Sequence, residues 1–268
     1  MKIGISTFSL LGMRLEDAVK MITDSGADAV EIWCEPPHYD VENTLPEYVE
    51  PFADFIRPYK MHVSMHAPFN DLNITTRYND VNQSIQKLIV KLIDEADKLG
   101  VDRITVHPGQ VYYKDHVESS VYTSMAFYRS MARASRRDTN MENQSPTGHP
   151  FAHTVASTLE QLDKMMGEVA EVGLTLDTGH ANLAGLDPIM LLKRYGNRVT
   201  EVHLSNNDGK IDSHDIMSKG TMDIGAFVDA ARDTDTTVVL ELNPYVYKPD
   251  EVMTEFKRLA TRVSEGHF

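Results

Sequence analysis

HVSMHAP (residues 62–68), SIQKLIVKLIDEADKLG (84–100) and DRITVHPG (102–109) read in order as strand, helix and strand. In the middle stretch Ile85, Leu88, Ile89, Leu92, Ile93, Ala96 and Leu99 recur at spacings of three and four, the signature of one apolar helix face, and Gly100 stops the helix. The flanking runs are short, rich in β-formers, and each ends on a histidine, His66 and His107.

The same unit recurs outward in both directions. Short β-rich runs fall at 2–6, 29–33, 62–66, 103–107, 140–143, 173–177, 199–203 and 237–242, with their ends 26 to 41 residues apart. The helix after the first run presents Leu15, Ala18, Val19 and Ile22, with Gly26 closing it. Weaker helical patterns cover 45–59, 117–135, 154–171, 187–195, 223–233 and 249–263. Strand then helix, eight times in roughly 250 residues, is the pattern of an α/β fold of (β/α)8 TIM-barrel type in a single domain. The rival, a doubly wound open sheet, expects a glycine fingerprint in the first strand-to-helix turn. Residues 6–13 lack it, although Gly12 is present. Ligand-type residues favour the barrel. All strands deliver their carboxyl ends to one mouth, so His66 and Glu241, 175 positions apart, can meet around one centre.

Nine such residues stand at or just past strand ends: His66, His107, Glu142, Asp177, His180, His203, Asp212, His214 and Glu241. Four to six donors of this type satisfy one zinc, manganese or iron ion, so nine suggests a cluster. Burying an acid in a strand is costly unless it is paired or coordinated. Three acids beside five histidines are therefore read as functional. The other six of the eleven histidines, His38, His62, His116, His149, His153 and His267, are read as structural.

Composition bounds the remaining options. The 268 residues carry 26 Lys and Arg against 40 Asp and Glu, a formal net charge of −14, which opposes attraction to a polyanion. Three divalent ions would bring it to −8, with the added charge concentrated at one mouth. A single cysteine, Cys34, precludes an intrachain disulfide and fits a reducing compartment. No apolar run approaches the ~20 residues that span a bilayer. The opening MKIGISTFSL is interrupted by Gly4, Ser6 and Thr7 and has no cleavage site after it. A cytoplasmic protein without a membrane partner is expected.

The motifs MHAP (His66), VHPG (His107), ENQ (Glu142), LDTGH (Asp177 to His180), EVHLSN (His203), DSH (Asp212 to His214) and LELN (Glu241) together resemble the xylose-isomerase-like barrels, a superfamily that includes endonuclease IV and the sugar isomerases and epimerases. The resemblance spans nearly the whole chain. Its endonuclease IV-like branch implies three Zn2+ ions: one on His66, His107 and Glu142, one on Glu142, Asp177, His203 and Glu241, and one on His180, Asp212 and His214. The sugar branch implies one Mn2+ or similar ion on Glu142, Asp177, His203 and Glu241, with Glu142 and Glu241 moving the proton and His180 touching the sugar. Because the sugar mechanism uses neither His66, His107 nor the Asp212 and His214 pair, the first expectation is a metal-dependent hydrolase of a small-molecule phosphate ester. The alternative is a single-metal isomerase or epimerase of a sugar or sugar phosphate.

Departures from the DNA-cutting members point away from nucleic acid. Ser213 stands where they carry arginine, residues 144–150 read QSPTGHP where they carry glycines, and residues 34–39 lack basic side chains. Strand 2 ends in Glu31-Ile32-Trp33, nearer to the sugar enzymes. Phe69, with Asn70 beside it, His180 and Lys210 are the candidate substrate contacts, with Lys219 a second cation. Tyr112, Tyr113 and Lys114 are read as a cleft edge or a solvated loop, Trp33 as core or cleft wall, and Cys34 as no nucleophile.

Overall fold

The computed structural model describes residues 1–146 and 151–265. His149 and His267, and part of the 144–150 stretch, lie outside the described residues. In chain order the elements are β1 (Lys2–Ser6), α1 (Leu15–Asp24), β2 (Ala29–Trp33), α2 (Pro46–Ile56), β3 (His62–His66), α3 (Asn79–Leu99), β4 (Arg103–Val106), β5 (Gln110–Tyr112), α4 (Val117–Ala134), β6 (Asp138–Glu142), β7 (Ala152–Thr154), α5 (Leu159–Glu168), β8 (Gly173–Asp177), α6 (Thr178–Leu183), α7 (Pro188–Tyr195), β9 (Val199–Leu204), α8 (Ile224–Ala231), β10 (Thr237–Leu240) and α9 (Pro249–Glu265). Eight strands close a parallel barrel in the order β1-β10-β9-β8-β6-β4-β3-β2. This is the (β/α)8 barrel the sequence pattern predicts.

The strands alternate, and the two faces differ in kind. Ile3, Ile5, Val30, Ile32, Val63, Met65, Ile104, Val106, Leu174, Leu176, Val202, Leu204, Val238 and Leu240 join the helices' apolar faces in one core. Each fully buried aliphatic side chain there contributes ~1.5–3 kcal/mol. Residues of opposite parity point into the barrel and are largely polar. They bond across it rather than along it: Ser64 Oγ donates to Glu201 Oε1 at 2.6 Å, Thr105 and Thr175 hydroxyls meet at 2.8 Å, and Asn140 Nδ2 donates to Thr175 Oγ1 at 2.9 Å. Arg103 Nη1 reaches Glu201 Oε2 at 3.2 Å, closing a buried ion pair low in the barrel. Strand approach is tight at β1, where a side chain on Gly4 would place its Cβ 2.3 Å from the Ala29 carbonyl oxygen.

One local expectation fails for an identifiable reason. The helix read over 154–171 begins only at Leu159, because the Thr158 side chain caps it by accepting from Gln161 N. Residues 152–154 instead pair antiparallel with β5, forming a ribbon over the barrel mouth. The short α6 follows β8 directly, capped by the Asp177 side chain, which accepts from His180 N at 2.7 Å. Helix α3 runs as read and ends on Gly100, which takes a left-handed φ of 70°. Among the described residues no helix is long and apolar enough to cross a membrane.

Candidate metal centre

Parallel register sets the depth of the site. Asp177 lies level with His203, Trp33 with His66, and Glu241 sits two residues beyond Val239, the partner of His203. All nine candidate ligands converge at the carboxyl end of the barrel, as parity and strand direction require. Seven of them, with Phe8, Trp33, Phe69 and Gln110 among their neighbours, line a cleft of about 380 Å3. Asp177 and His203 lie beneath it, fully buried.

Glu142 is the hub. Its Oε2 lies 3.2 Å from His66 Nε2 and 3.1 Å from His107 Nε2, and its Oε1 lies 3.1 Å from His180 Nδ1 and 3.7 Å from His203 Nδ1. His203 Nδ1 in turn stands 3.2 Å from Glu241 Oε2 and 4.0 Å from Asp177 Oδ2. On the outer side, Asp212 accepts from His180 Nε2 at 3.0 Å and lies 3.6 Å from His214 Nε2. His66, Glu142 and His203, then Asp177, His203 and Glu241, then His180, Asp212 and His214 each bring one ligand atom apiece within 4.8 Å of one another.

Backbone and side-chain contacts orient the rings. His66 Nδ1 is held by the Ala67 carbonyl at 2.9 Å, which turns Nε2 to the centre. His203 is turned the other way, because Glu31 Oε2 takes Nε2 at 2.9 Å and leaves Nδ1 facing the acids. Asn143 ties β6 to β8, donating to the Asp177 carbonyl at 3.0 Å and accepting from Asp177 N at 2.8 Å.

Charge is strongly redistributed. Burial disfavours the imidazolium of His66, but its bond to Glu142 and the Glu31 charge prevail and raise it to about 9. His214 is likewise raised to about 9 against burial, chiefly by its bond to Asp212. Burial is also outweighed at His180, by Asp177 and Asp212, and at His203, by Glu31 and Glu241; both rise well above the ordinary range. His107 is lowered, since burial there prevails over Glu142. Glu142 falls well below the carboxylate range because His107 and His203 overcome its burial, whereas burial raises Glu241 to about 6 and also raises Asp177.

The fit to a divalent ion is read from atoms left without partners. Asp177 Oδ2 and His203 Nδ1 are buried and make no hydrogen bond. Such groups are costly unless something satisfies them. Three carboxylates and one imidazole converging there form a donor set suited to Mn2+, Zn2+ or a similar ion. Ligation requires the bound rings to shed the protons their acidic neighbours otherwise stabilise.

Glu31, which the sequence reading placed only in the strand-2 motif Glu31-Ile32-Trp33, has a role behind His203 that the reading did not assign. Its signal was a glutamate between Val30 and Ile32 in an otherwise apolar strand. A carboxylate behind a ligating histidine fixes its tautomer and raises its basicity. Glu31→Gln is therefore expected to weaken metal binding by about 10–100-fold, measured by competition with a chelating dye. Unchanged affinity would show that His203 is held without it.

The substrate-contact candidates separate. Phe69 lines the cleft and stacks on His107, with centroids 3.9 Å apart. Its loop is pinned by Glu35 Oε1, which accepts from Phe69 N at 2.5 Å and Asn70 N at 2.7 Å. His180 is central to the cluster. Lys210 is exposed and lies outside the cleft lining, and Lys219 Nζ is engaged by Asp215 Oδ1 at 2.6 Å. Tyr113 is exposed, and Cys34 is buried with its thiol pushed up by burial. Trp33 is cleft wall, packed on Phe8 at 4.8 Å and on His66 at 4.9 Å.

A family model described as the xylose isomerase-like TIM barrel matches residues 19–261. An uncharacterized protein of Methanocaldococcus jannaschii is 26% identical over 235 residues, covering 83% of this chain and 76% of its own. Among solved structures, a D-tagatose 3-epimerase-like protein superposes with a TM-score of 0.82 at 21% identity over 99% of both chains. A zinc-bound IolI protein gives 0.79 at 19% identity, covering 100% of this chain and 99% of its own.

Proposed function

The chain belongs to the xylose isomerase-like TIM-barrel family, and on that premise we propose that it is a divalent-metal-dependent isomerase or epimerase of a keto sugar, moving a proton at the carbon beside the carbonyl. The observation that carries this reading is the placement of two carboxylates around one buried ligand atom. Glu241 approaches His203 Nδ1 from the adjoining β10, and Glu142 approaches it from β6 on the other side of β9. The likeness to a D-tagatose 3-epimerase-like protein supports the same reaction class, and the likeness to a zinc-bound IolI protein supports a divalent ion.

Glu142, Asp177, His203 and Glu241 would hold the ion. A divalent cation there supplies polarisation of the substrate's carbonyl and neighbouring hydroxyl oxygens. Ionised Glu142 or Glu241 takes the proton from the carbon, and the other returns one for epimerisation. His180, buried between Glu142 and Asp212, orients hydroxyls at the edge of the cluster. The aromatic wall and the β5–β7 ribbon limit water at the carbon that reacts.

A second reading, a multinuclear zinc phosphoesterase, is favoured by one observation. His66, His107, Asp212 and His214 converge on the same cleft although the proton-transfer mechanism does not need them as ligands. Paired assays on one metal-loaded preparation test the choice: interconversion of ketoses, and hydrolysis of a generic phosphodiester. The proposed reading expects interconversion, retained in Asp212→Ala, with one tightly held ion per chain that His107→Ala does not alter. Phosphodiester hydrolysis lost in Asp212→Ala, with three ions per chain, would replace it.

A further inference from the structure

Two residues beyond Glu142, past the end of β6, Gln144 lies in the wall of the cleft at 9% exposure. Its backbone is fixed from every side. Asn143 ties the strand end to Asp177, Gln144 N donates to the Ala156 carbonyl at 3.0 Å, and the Ser145 carbonyl accepts from Thr154 Oγ1 at 2.5 Å. The segment that receives these bonds is itself anchored, since Val155 N donates to the Gly109 carbonyl at 2.9 Å. Ala156, fully buried, holds its place at a left-handed φ of 61°, a conformation that is costly for a residue with a Cβ.

The side chain has no such anchor. Gln144 Nε2 is buried and meets no acceptor among the described residues. Of the buried side-chain atoms left in that state there, it is the one that belongs to the cleft lining. Asp177 Oδ2 and His203 Nδ1 share the condition beneath the cleft, where a cation would satisfy them. It would not satisfy Gln144, because an amide nitrogen is a donor and has no lone pair to give a metal. An unmade bond of this kind destabilises the folded chain, and an apolar side chain of similar size would avoid the cost. The donor is therefore held ready, by its backbone, for an acceptor that enters the cleft.

We propose that Gln144 is a specificity-determining residue whose Nε2 donates to a hydroxyl oxygen of the bound keto sugar. This deepens the isomerase reading and rests on it. Trp33 is the chain's one tryptophan and lines the same cleft, so its emission follows binding without turnover. The test titrates Mn2+-loaded wild type, Gln144→Leu and Gln144→Met with the D-ketohexoses and their monodeoxy analogues, and measures turnover and thermal unfolding alongside. Both variants should bind the best ketohexose about tenfold more weakly and raise its KM to match, with kcat changed less than about twofold, as expected for a contact made equally in ground and transition states. Their Tm should equal or exceed that of wild type, because a buried donor without a partner has been removed. One deoxy analogue should bind wild type about tenfold more weakly than its parent does, yet bind Gln144→Leu as well as the parent. Unchanged affinity for every ketohexose in both variants, additive losses for every deoxy analogue, a Tm lowered in both variants, or binding of no ketohexose at all would overturn the proposal. Gln144→Leu with full affinity and intact proton exchange defeats this inference alone; ketose binding that Gln144→Leu weakens, with no exchange in wild type, defeats the isomerase reading alone.

Discussion

Glu241→Gln is expected to slow proton exchange between ketose and solvent by about 10²–10⁴-fold, the usual worth of a positioned acid or base. Glutamine keeps the size and a carbonyl oxygen for the ion but cannot take a proton. Glu241 is 4% exposed, and its carboxyl, held up at about 6 by burial, lies 3.2 Å from the ring of His203. The protein should keep its fold and still bind metal, measurably more weakly. Asp212→Ala, which removes the partner of His180 and His214 on the outer side, should leave more of the exchange intact. Exchange rates followed by NMR on the two variants decide the point. Equal losses would mean that the outer carboxylate shares in the chemistry, and a Glu241→Gln variant with full activity would remove Glu241 from proton transfer.

The largest effect on stability is expected below the site. Glu201 is fully buried and bonds to Arg103 Nη1 and Ser64 Oγ inside the barrel. Arg103 also donates to the Thr200 carbonyl at 2.9 Å. Arg103→Leu strands a carboxylate with no cation, a change that costs about 3–5 kcal/mol. For a chain of this size that corresponds to a Tm lower by roughly 10 °C. The double variant Arg103→Leu with Glu201→Leu should recover most of the loss, since an apolar pair of similar volume avoids desolvating two charges. Thermal unfolding of the three proteins tests this. A double variant no more stable than Arg103→Leu would show that the polar interior is needed as a whole.

That interior also marks where the sequence was legible. Closure of the barrel could be read because six of the eight strands end at or beside a histidine or acid too costly to bury without a partner, and register then carries Asp177 level with His203. The helix over Asn79–Leu99 was legible because its apolar spacing and its glycine stop agree. Glu31 was not, because nothing local separates a glutamate behind a ligand from one paired elsewhere. Its role exists only through the 2.9 Å contact to His203, which lies 172 residues away. The β5–β7 ribbon escaped for a similar reason: its three-residue strands carry too little pattern to outweigh a helical reading of 154–171. Lys210 was singled out by nearness in sequence to the DSH motif, but the loop bonds Lys210 N to Asp208 Oδ1 and leaves the side chain in solvent. The clustering of all nine ligand candidates was readable from strand ends. Their division between ligands of one ion and contacts to a substrate depends on side-chain direction, which strand spacing does not encode.

Solvent deuterium incorporation tests the central claim most directly. The wild-type protein, loaded with Mn2+ and incubated in D2O with a ketose that it interconverts, is sampled over time for label by mass spectrometry. The account predicts one deuterium at the carbon beside the carbonyl per turnover, abolished by chelation and restored by adding the ion back. Product formed without solvent label, or label that persists after the metal is removed, would contradict it.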